Sequence, residues 1–332
     1  MIKVLIVEPK SAERLILSVI LESAGIKVVK VREEEDVMKK LIESKPDVVL
    51  LDIEQKKLSG LDILYNIMLH HPVPVVVFGR KEVMVEKEMV RAFSYGAVDF
   101  FVKPDIPKKL FGVKDEIVSK VVDASKARVY SLRRIPLEEI HIHKDKSDKV
   151  IGIGASSGGP GIIEKILMSF PHNFPAPIIV VQHLPPYFSE LFAKRLDKLC
   201  EIKVEEARNF TKLKPSKAYI APSDQNIEVI RKECESYIVY SNKESMSKPS
   251  IDIAFESLGR EFRDKAIGVI LSGLGNDGTR GAEVIKMNGG IVIAQDESTS
   301  VVFGMPKSII ERGLADYVLP FEKISKKIVE LL

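Results

Sequence analysis

Twice along this chain, short runs of β-branched and aliphatic residues alternate with stretches of helical periodicity, and a segment with neither pattern separates the two series. Few folds accommodate such alternation. Runs of this kind suit strands buried on both faces, and each amphipathic stretch supplies the crossover that a parallel strand pair requires. In the first series strands are expected at 3–7, 27–31, 48–52, 75–78 and 99–102, with helices over 11–24, 33–44, 61–71, 83–95 and 114–127. Within 11–24, Leu15, Val19 and Glu22-Ser23 recur at helical spacing, and Gly25 ends the pattern. The fold class expected is α/β, a parallel sheet with helices on both faces.

Residues 128–148 lose the alternation. They include Arg133-Arg134-Ile135-Pro136 and the polar run from His141 to Lys146, and we take them as a linker. A chain of 332 residues is long enough for two domains, expected at 1–127 and 149–332. Lys plus Arg balance Asp plus Glu within 1–125 and again within 148–332, so the whole excess of +3 falls in the middle segment. Neither domain carries the basic surplus of a nucleic-acid binder. No run approaches the length of a membrane span, which excludes an integral membrane protein. The start, Met-Ile-Lys-Val-Leu-Ile-Val-Glu, lacks the features of a signal peptide. Two cysteines, Cys200 and Cys234, are too few for a disulfide framework, and the expected location is cytoplasmic. His141 and His143 read as exposed linker residues, since no carboxylate–histidine cluster completes a metal site.

The second series predicts strands at 150–153, 178–182, 266–272 and 291–294, with helices from 161, over 189–199, 251–262 and 281–287. Residues 203–240 read as short strands and turns, an insertion into a second doubly wound domain. In open parallel sheets ligands bind beyond the carboxyl ends of the strands. The polar residues at those ends are Ser156 and Ser157, then His183, then Asp277, then Asp296. A serine, a histidine and two candidate acids thus share one sheet edge, as a nucleophile, its base and an orienting carboxylate require. The small neighbours Gly154, Ala155, Gly158 and Gly159 would let a carbonyl approach backbone N–H groups. Spacing alone chooses neither Ser156 over Ser157 nor Asp277 over Asp296.

A nucleotide site is the competing use of a glycine-rich turn. The turn after residue 153 lacks the third glycine of a dinucleotide fingerprint and the Gly-Lys-Ser/Thr of a phosphate-binding loop. Gly154-Ala-Ser156-Ser-Gly158 is the only stretch that fits Gly-x-Ser-x-Gly.

Five motifs in order, with Pro249-Ser250-Ile251-Asp252 besides, carry a family resemblance. They are Val150-Ile-Gly-Ile-Gly-Ala-Ser-Ser-Gly-Gly159, Gln182-His-Leu-Pro-Pro186, Tyr219-Ile-Ala-Pro222, Gly268-Val-Ile-Leu-Ser-Gly-Leu-Gly-Asn-Asp-Gly278 and Ala294-Gln-Asp-Glu-Ser-Thr-Ser-Val-Val-Phe-Gly-Met-Pro306. Residues 148–332 closely resemble the chemotaxis protein-glutamate methylesterases of the CheB family. The resemblance implies Ser156 as nucleophile, His183 as base, Asp277 as third member and the backbone N–H of Leu274, where methionine is usual, as oxyanion donor. It implies hydrolysis of glutamate γ-methyl esters on chemoreceptors, glutamine deamidation in some members, and no cofactor for catalysis. Alternatives of other classes are a hydrolase of the same fold with another ester or amide substrate, and a non-catalytic scaffold binding receptors or a kinase.

The same resemblance makes the first domain a flavodoxin-like response-regulator receiver. Leu50-Leu-Asp52 matches the phosphoacceptor motif, Phe101-Val-Lys103-Pro104 the lysine loop, and Phe100 the switch aromatic. The chemotaxis histidine kinase CheA is the implied phosphodonor. Two positions depart from the pattern. Where receivers carry an acidic pair for Mg²⁺, this chain has Glu8-Pro9, and Phe78-Gly79 lacks the usual hydroxyl. Glu8 and Asp52 are left as Mg²⁺ ligands, and an impaired or pseudo-receiver is expected, one that controls the esterase by docking. The alternative is slow phosphotransfer supported by Glu8 and a backbone oxygen.

Overall fold

The computed structural model describes residues 1–31, 37–54, 59–80, 88–129, 146–184, 186, 188–233 and 235–332. His141, His143, Cys234, most of the expected linker and the beginnings of the helices expected at 33 and 83 lie outside the described residues. The chain forms two compact units, Met1–Arg134 and Ile135–Leu332.

In the first unit the strands are β1 (Lys3–Val7), β2 (Lys27–Val31), β3 (Val48–Asp52), β4 (Val75–Arg80) and β5 (Asp99–Lys103). They order β2-β1-β3-β4-β5, all neighbours parallel, which is the flavodoxin-like arrangement. Every residue of the apolar run Val48–Asp52 is buried, as a central strand covered on both faces must be. Glu8 follows β1, Asp52 ends β3 and Lys103 ends β5, so all three reach the same carboxyl edge. The helices are α1 (Ser11–Ser23), α2 (Val37–Ser44), α3 (Gly60–His70), α4 (Met89–Ser94) and α5 (Lys114–Ala124), with a 3-10 turn at Pro107–Val113.

In α1 the residues that recur at helical spacing are not the buried ones. Leu15 and Val19 are 59% and 45% exposed, and the buried face carries Leu17, Ile20 and Leu21 together with Glu13 and Ser18. The helix carries apolar residues on two faces, and only one of them is buried.

The second unit is built on a seven-stranded parallel sheet. Its strands are β6 (Val150–Ala155), β7 (Ile178–Gln182), β8 (Lys203–Glu206), β10 (Lys217–Ile220), β13 (Ala266–Ile270), β14 (Ile291–Gln295) and β15 (Tyr317–Leu319), ordered β15-β14-β13-β6-β7-β10-β8. A separate antiparallel sheet joins β9 (Thr211–Lys212), β11 (Asn226–Lys232) and β12 (Glu235–Ser241). The insertion expected over 203–240 is therefore corrected. β8 and β10 extend the main sheet in parallel register, and only β9, β11 and β12 stand apart. The half-polar sequences Lys-Val-Glu-Glu and Lys-Ala-Tyr-Ile mark strands at one edge of the sheet, too short and mixed to show a buried run.

From β6 the chain builds outward through β7, and later returns to β13 on the other flank. The switch point thus falls between β6 and β13, where a crevice opens at the strand ends. The helices of this unit are α6 (Gly159–Met168), α7 (Phe188–Leu199), α8 (Ile251–Phe262), α9 (Thr279–Met287), α10 (Met305–Glu311) and α11 (Phe321–Glu330). α8 lies close against the two central strands. A Cβ at Gly152 would stand 2.8 Å from the Phe255 ring, and one at Gly268 3.1 Å from it. Those glycines let the N-terminus of α8 reach the strand ends.

Candidate active site

Three consecutive neighbours in the sheet each deliver one group to the crevice. Ser156 follows β6, His183 follows β7 and Asp277 lies in the turn after β13. Ser156 Oγ stands 3.2 Å from His183 Nδ1, and His183 Nε2 stands 2.8 Å from Asp277 Oδ2. Of the alternatives that spacing left open, the structure brings Ser156 and Asp277 to the histidine. Asp296 instead accepts from Ser298, Thr299 and the backbone of Thr299, closing its own turn.

The serine turn is held from two sides. The Ser156 N–H donates to the carbonyl of Ser272 beyond β13. The buried Gln182 amide donates to the carbonyls of Ser156 and His183, tying nucleophile and base to one side chain. Gly158, with φ of 76°, takes the left-handed conformation that glycine tolerates and leads into α6. The Ser156 side chain packs on Gly273, where a Cβ would come within 2.8 Å of Ser156 Cβ and 2.2 Å of Met305 Sδ. Leu274, next along, is 41% exposed, and its backbone N–H donates no hydrogen bond among the described residues.

Asp277 is held more firmly than its sequence shows. Its carboxylate accepts from the N–H groups of Ile251 and Asp252, at 2.9 Å each, and from the Ser250 hydroxyl at 3.2 Å. It therefore sits at the N-terminus of α8, where free N–H groups and the helix dipole favour an anion. Asp252 returns the arrangement by accepting from Gly281 in α9. Burial alone would raise the Asp277 pKa, but the His183 ring and these N–H donors outweigh it and hold the carboxyl below its ordinary range. Ser250 and Asp252 had a motif match but no role from sequence. Their role depends on how α8 packs across the sheet, which no local pattern encodes.

A second cluster occupies the carboxyl edge of the first unit. Lys103 Nζ reaches Asp52 Oδ2 at 2.6 Å, Glu13 Oε2 at 2.8 Å and Glu8 Oε2 at 3.3 Å, all of them buried. Glu8, Asp52 and Lys103 were expected there and are brought together. Glu13, from the first turn of α1, was not expected. Burial, with Asp52 alongside, pushes the Glu8 carboxyl up to about 8. Burial acts the same way on Glu13, but the Lys103 ammonium overrides it and holds Glu13 below its ordinary range. The Arg14 guanidinium donates to the carbonyls of Glu8 and Pro9, fixing the turn that aims Glu8 inward.

Residues 151–328 match the family model for CheB methylesterase, and residues 4–113 match that for the response regulator receiver domain. A protein-glutamate methylesterase/protein-glutamine glutaminase of Pyrococcus abyssi is 38% identical over 341 residues, covering 99% of this chain and 93% of the relative. One of Thermotoga maritima bearing the same name is 38% identical over 339 residues, covering 100% of this chain and 98% of its own. The crystal structure of the Thermotoga maritima CheB methylesterase catalytic domain superposes with a TM-score of 0.55 and 44% identity, covering 56% of this chain and all of that domain.

Proposed function

The chain belongs to the CheB methylesterase family, and from that premise we propose that it hydrolyses γ-methyl esters of glutamate on chemoreceptors, under control of its receiver unit, with Ser156, His183 and Asp277 as the working groups. The observation that carries the proposal is the continuous chain of contacts from Ser156 Oγ through the His183 ring to Asp277.

Ser156 Oγ attacks the ester carbonyl carbon while its proton passes to His183 Nδ1. Charge develops on the carbonyl oxygen, and the N–H of Leu274, which donates to no partner among the described residues, supports the reading of that backbone as an oxyanion donor. The C–O bond to methanol breaks as His183 returns the proton to the leaving oxygen. Water then repeats the sequence on the acyl-serine and frees glutamate. A glutamine side chain would follow the same course with ammonia leaving, the second activity in the names of the relatives. This chemistry requires no cofactor. The sparse cysteines fit a reducing, cytoplasmic setting.

In the receiver unit we assign Asp52 as phosphoacceptor, with a chemotaxis histidine kinase as donor. Receivers use Mg²⁺ beside this aspartate, and the donor set fits a hard cation. Glu8 and Asp52 present carboxylate oxygens, and the Lys103 ammonium already stands among them as a substitute cation. Such an ion would offset the negative charge of a phosphoryl group.

The test is to incubate methylated chemoreceptor membranes with the protein and follow the receptor peptides by mass. The ester-to-acid change should occur with the wild type and not with Ser156→Ala. Peptides that stay methylated with both proteins, each folded, would overturn the substrate assignment.

A further inference from the structure

The carboxylate that receivers place next to Glu8 is missing here, because the neighbouring residue is Pro9. We propose that Glu13, one helical turn into α1, supplies that missing carboxylate, so that Glu8, Glu13 and Asp52 together form the divalent-cation site of this receiver. The inference rests on the receiver reading of the first unit and is independent of the esterase reading.

Four observations carry it. First, one oxygen from each of the three carboxylates lies within 4.8 Å of the others. An octahedral Mg²⁺ with bonds of about 2 Å sets its ligand oxygens about 3 to 4 Å apart, so a small inward movement completes the set. Second, Glu13 is a charged residue only 8% exposed, on a helix that has solvent-facing positions available. Burying a carboxylate is costly unless a cation meets it, so a merely amphipathic role for Glu13 would place it on the exposed face.

Third, a cation already holds the three oxygens. Lys103 Nζ lies 2.6, 2.8 and 3.3 Å from Asp52, Glu13 and Glu8. It stands amid three acidic side chains, where a divalent ion would sit, and Lys10 Nζ lies 3.5 Å from the other Glu13 oxygen. Fourth, the backbone is arranged for this substitution. Pro9 shapes the β1–α1 turn, Lys10 N–H holds the other Glu8 oxygen at 2.8 Å, and Arg14 clasps the carbonyls of Glu8 and Pro9. Glu13 then enters the pocket from the first turn of the helix, near its positive end. Glu54, the remaining acid nearby, lies farther from Lys103, at 4.0 Å, and its main partner is Arg80. It receives both the side chain and the backbone N–H of Arg80.

The proposal replaces the expectation of a damaged pocket with that of a rebuilt one. The acidic set keeps its size, and one member moves from the loop to the helix.

The test is Mn²⁺ binding to the full-length protein, read from loss of the free-ion paramagnetic resonance signal, with no esterase substrate present. Mn²⁺ shares the oxygen-ligand preference of Mg²⁺. Wild type should bind one ion. Glu13→Gln, nearly isosteric, should weaken binding about tenfold or more, the scale that loss of a supporting partner alone already causes at metal sites. Glu13→Asp, which keeps the charge, should fall between them. Glu54→Gln should change binding by less than about threefold, because its charge is already paired with Arg80. Circular dichroism shows that each variant is folded. Equal binding by Glu13→Gln and wild type, with loss in Glu8→Gln and Asp52→Asn, would overturn the role of Glu13 and leave the receiver reading intact. Absence of binding by the wild type itself would overturn the metal site and the receiver chemistry built on it.

Discussion

His183 meets Asp277 through Nε2, at 2.8 Å, and leaves Nδ1 for Ser156. In the chymotrypsin-type arrangement the two ring nitrogens serve in the opposite order. In the proposed mechanism the carboxylate fixes the proton on Nε2 and keeps Nδ1 as the acceptor. Nitrogen NMR of the protein labelled at histidine should show His183 as the Nε2–H form at neutral pH, and Asp277→Asn should disturb that ratio. Activity of this variant should fall by about 10⁴-fold, as loss of the orienting carboxylate does in other triads. An Nδ1–H form in the wild type would contradict the assignment of Nδ1 as base.

The Asp277 carboxyl titrates below its ordinary range in the folded protein, where His183 and the α8 N–H groups hold its charge. A depressed carboxylate contributes stability above the unfolded pKa and loses it as pH falls through the folded one. Urea denaturation should therefore find wild type more stable than Asp277→Asn near pH 7. The gap should narrow progressively below about pH 4, the ordinary aspartate value. A constant gap across that interval would show that the carboxyl is not held ionised by these contacts.

Gly273 leaves no room for a side chain. An added Cβ would meet Met305 Sδ at 2.2 Å and Ser156 Cβ at 2.8 Å. Gly273→Ala should lower esterase kcat by at least about tenfold, since an ångström of displacement at reacting groups costs about 10²-fold. The comparison with Gly275→Ala is informative: that position has open space, but its φ of 82° makes a side chain strained. If kcat is unchanged in Gly273→Ala, the nucleophile does not depend on this packing.

Asp52 ends β3 buried beneath Lys103. With a small acyl phosphate and Mg²⁺, its carboxylate should attack phosphorus while the acyl carboxylate leaves, giving one phosphoryl adduct per chain by intact mass. The adduct should be absent in Asp52→Asn and form at least about tenfold more slowly in Glu13→Gln, following the loss of metal affinity. A wild type that stays unmodified would favour control by docking alone.

Much of this could be read from the residues in order, for a physical reason. Parallel strands buried on both faces read as unbroken apolar runs, so Val48–Asp52 and Ile178–Gln182 stood out, and with them the edge where ligands bind. What escaped was set by packing between distant segments. Ser156 and Ser157 are adjacent, and only the positions of His183 and Gly273 distinguish them. Glu13 sits on a helix with two apolar faces, so periodicity did not show that it points into the pocket. Ser250 and Asp252 act because Gly152 and Gly268 admit α8 against the sheet. β8 and β10 escaped because short half-polar strands resemble loop sequence.

The most direct test of the central claim is to treat the folded protein with a fluorophosphonate, which captures only an activated serine, and to map the modified peptide. The account predicts a single adduct, on Ser156, that disappears in His183→Ala and is accompanied by complete loss of methanol release. An adduct on Ser157, or none while methanol is still released, would contradict it.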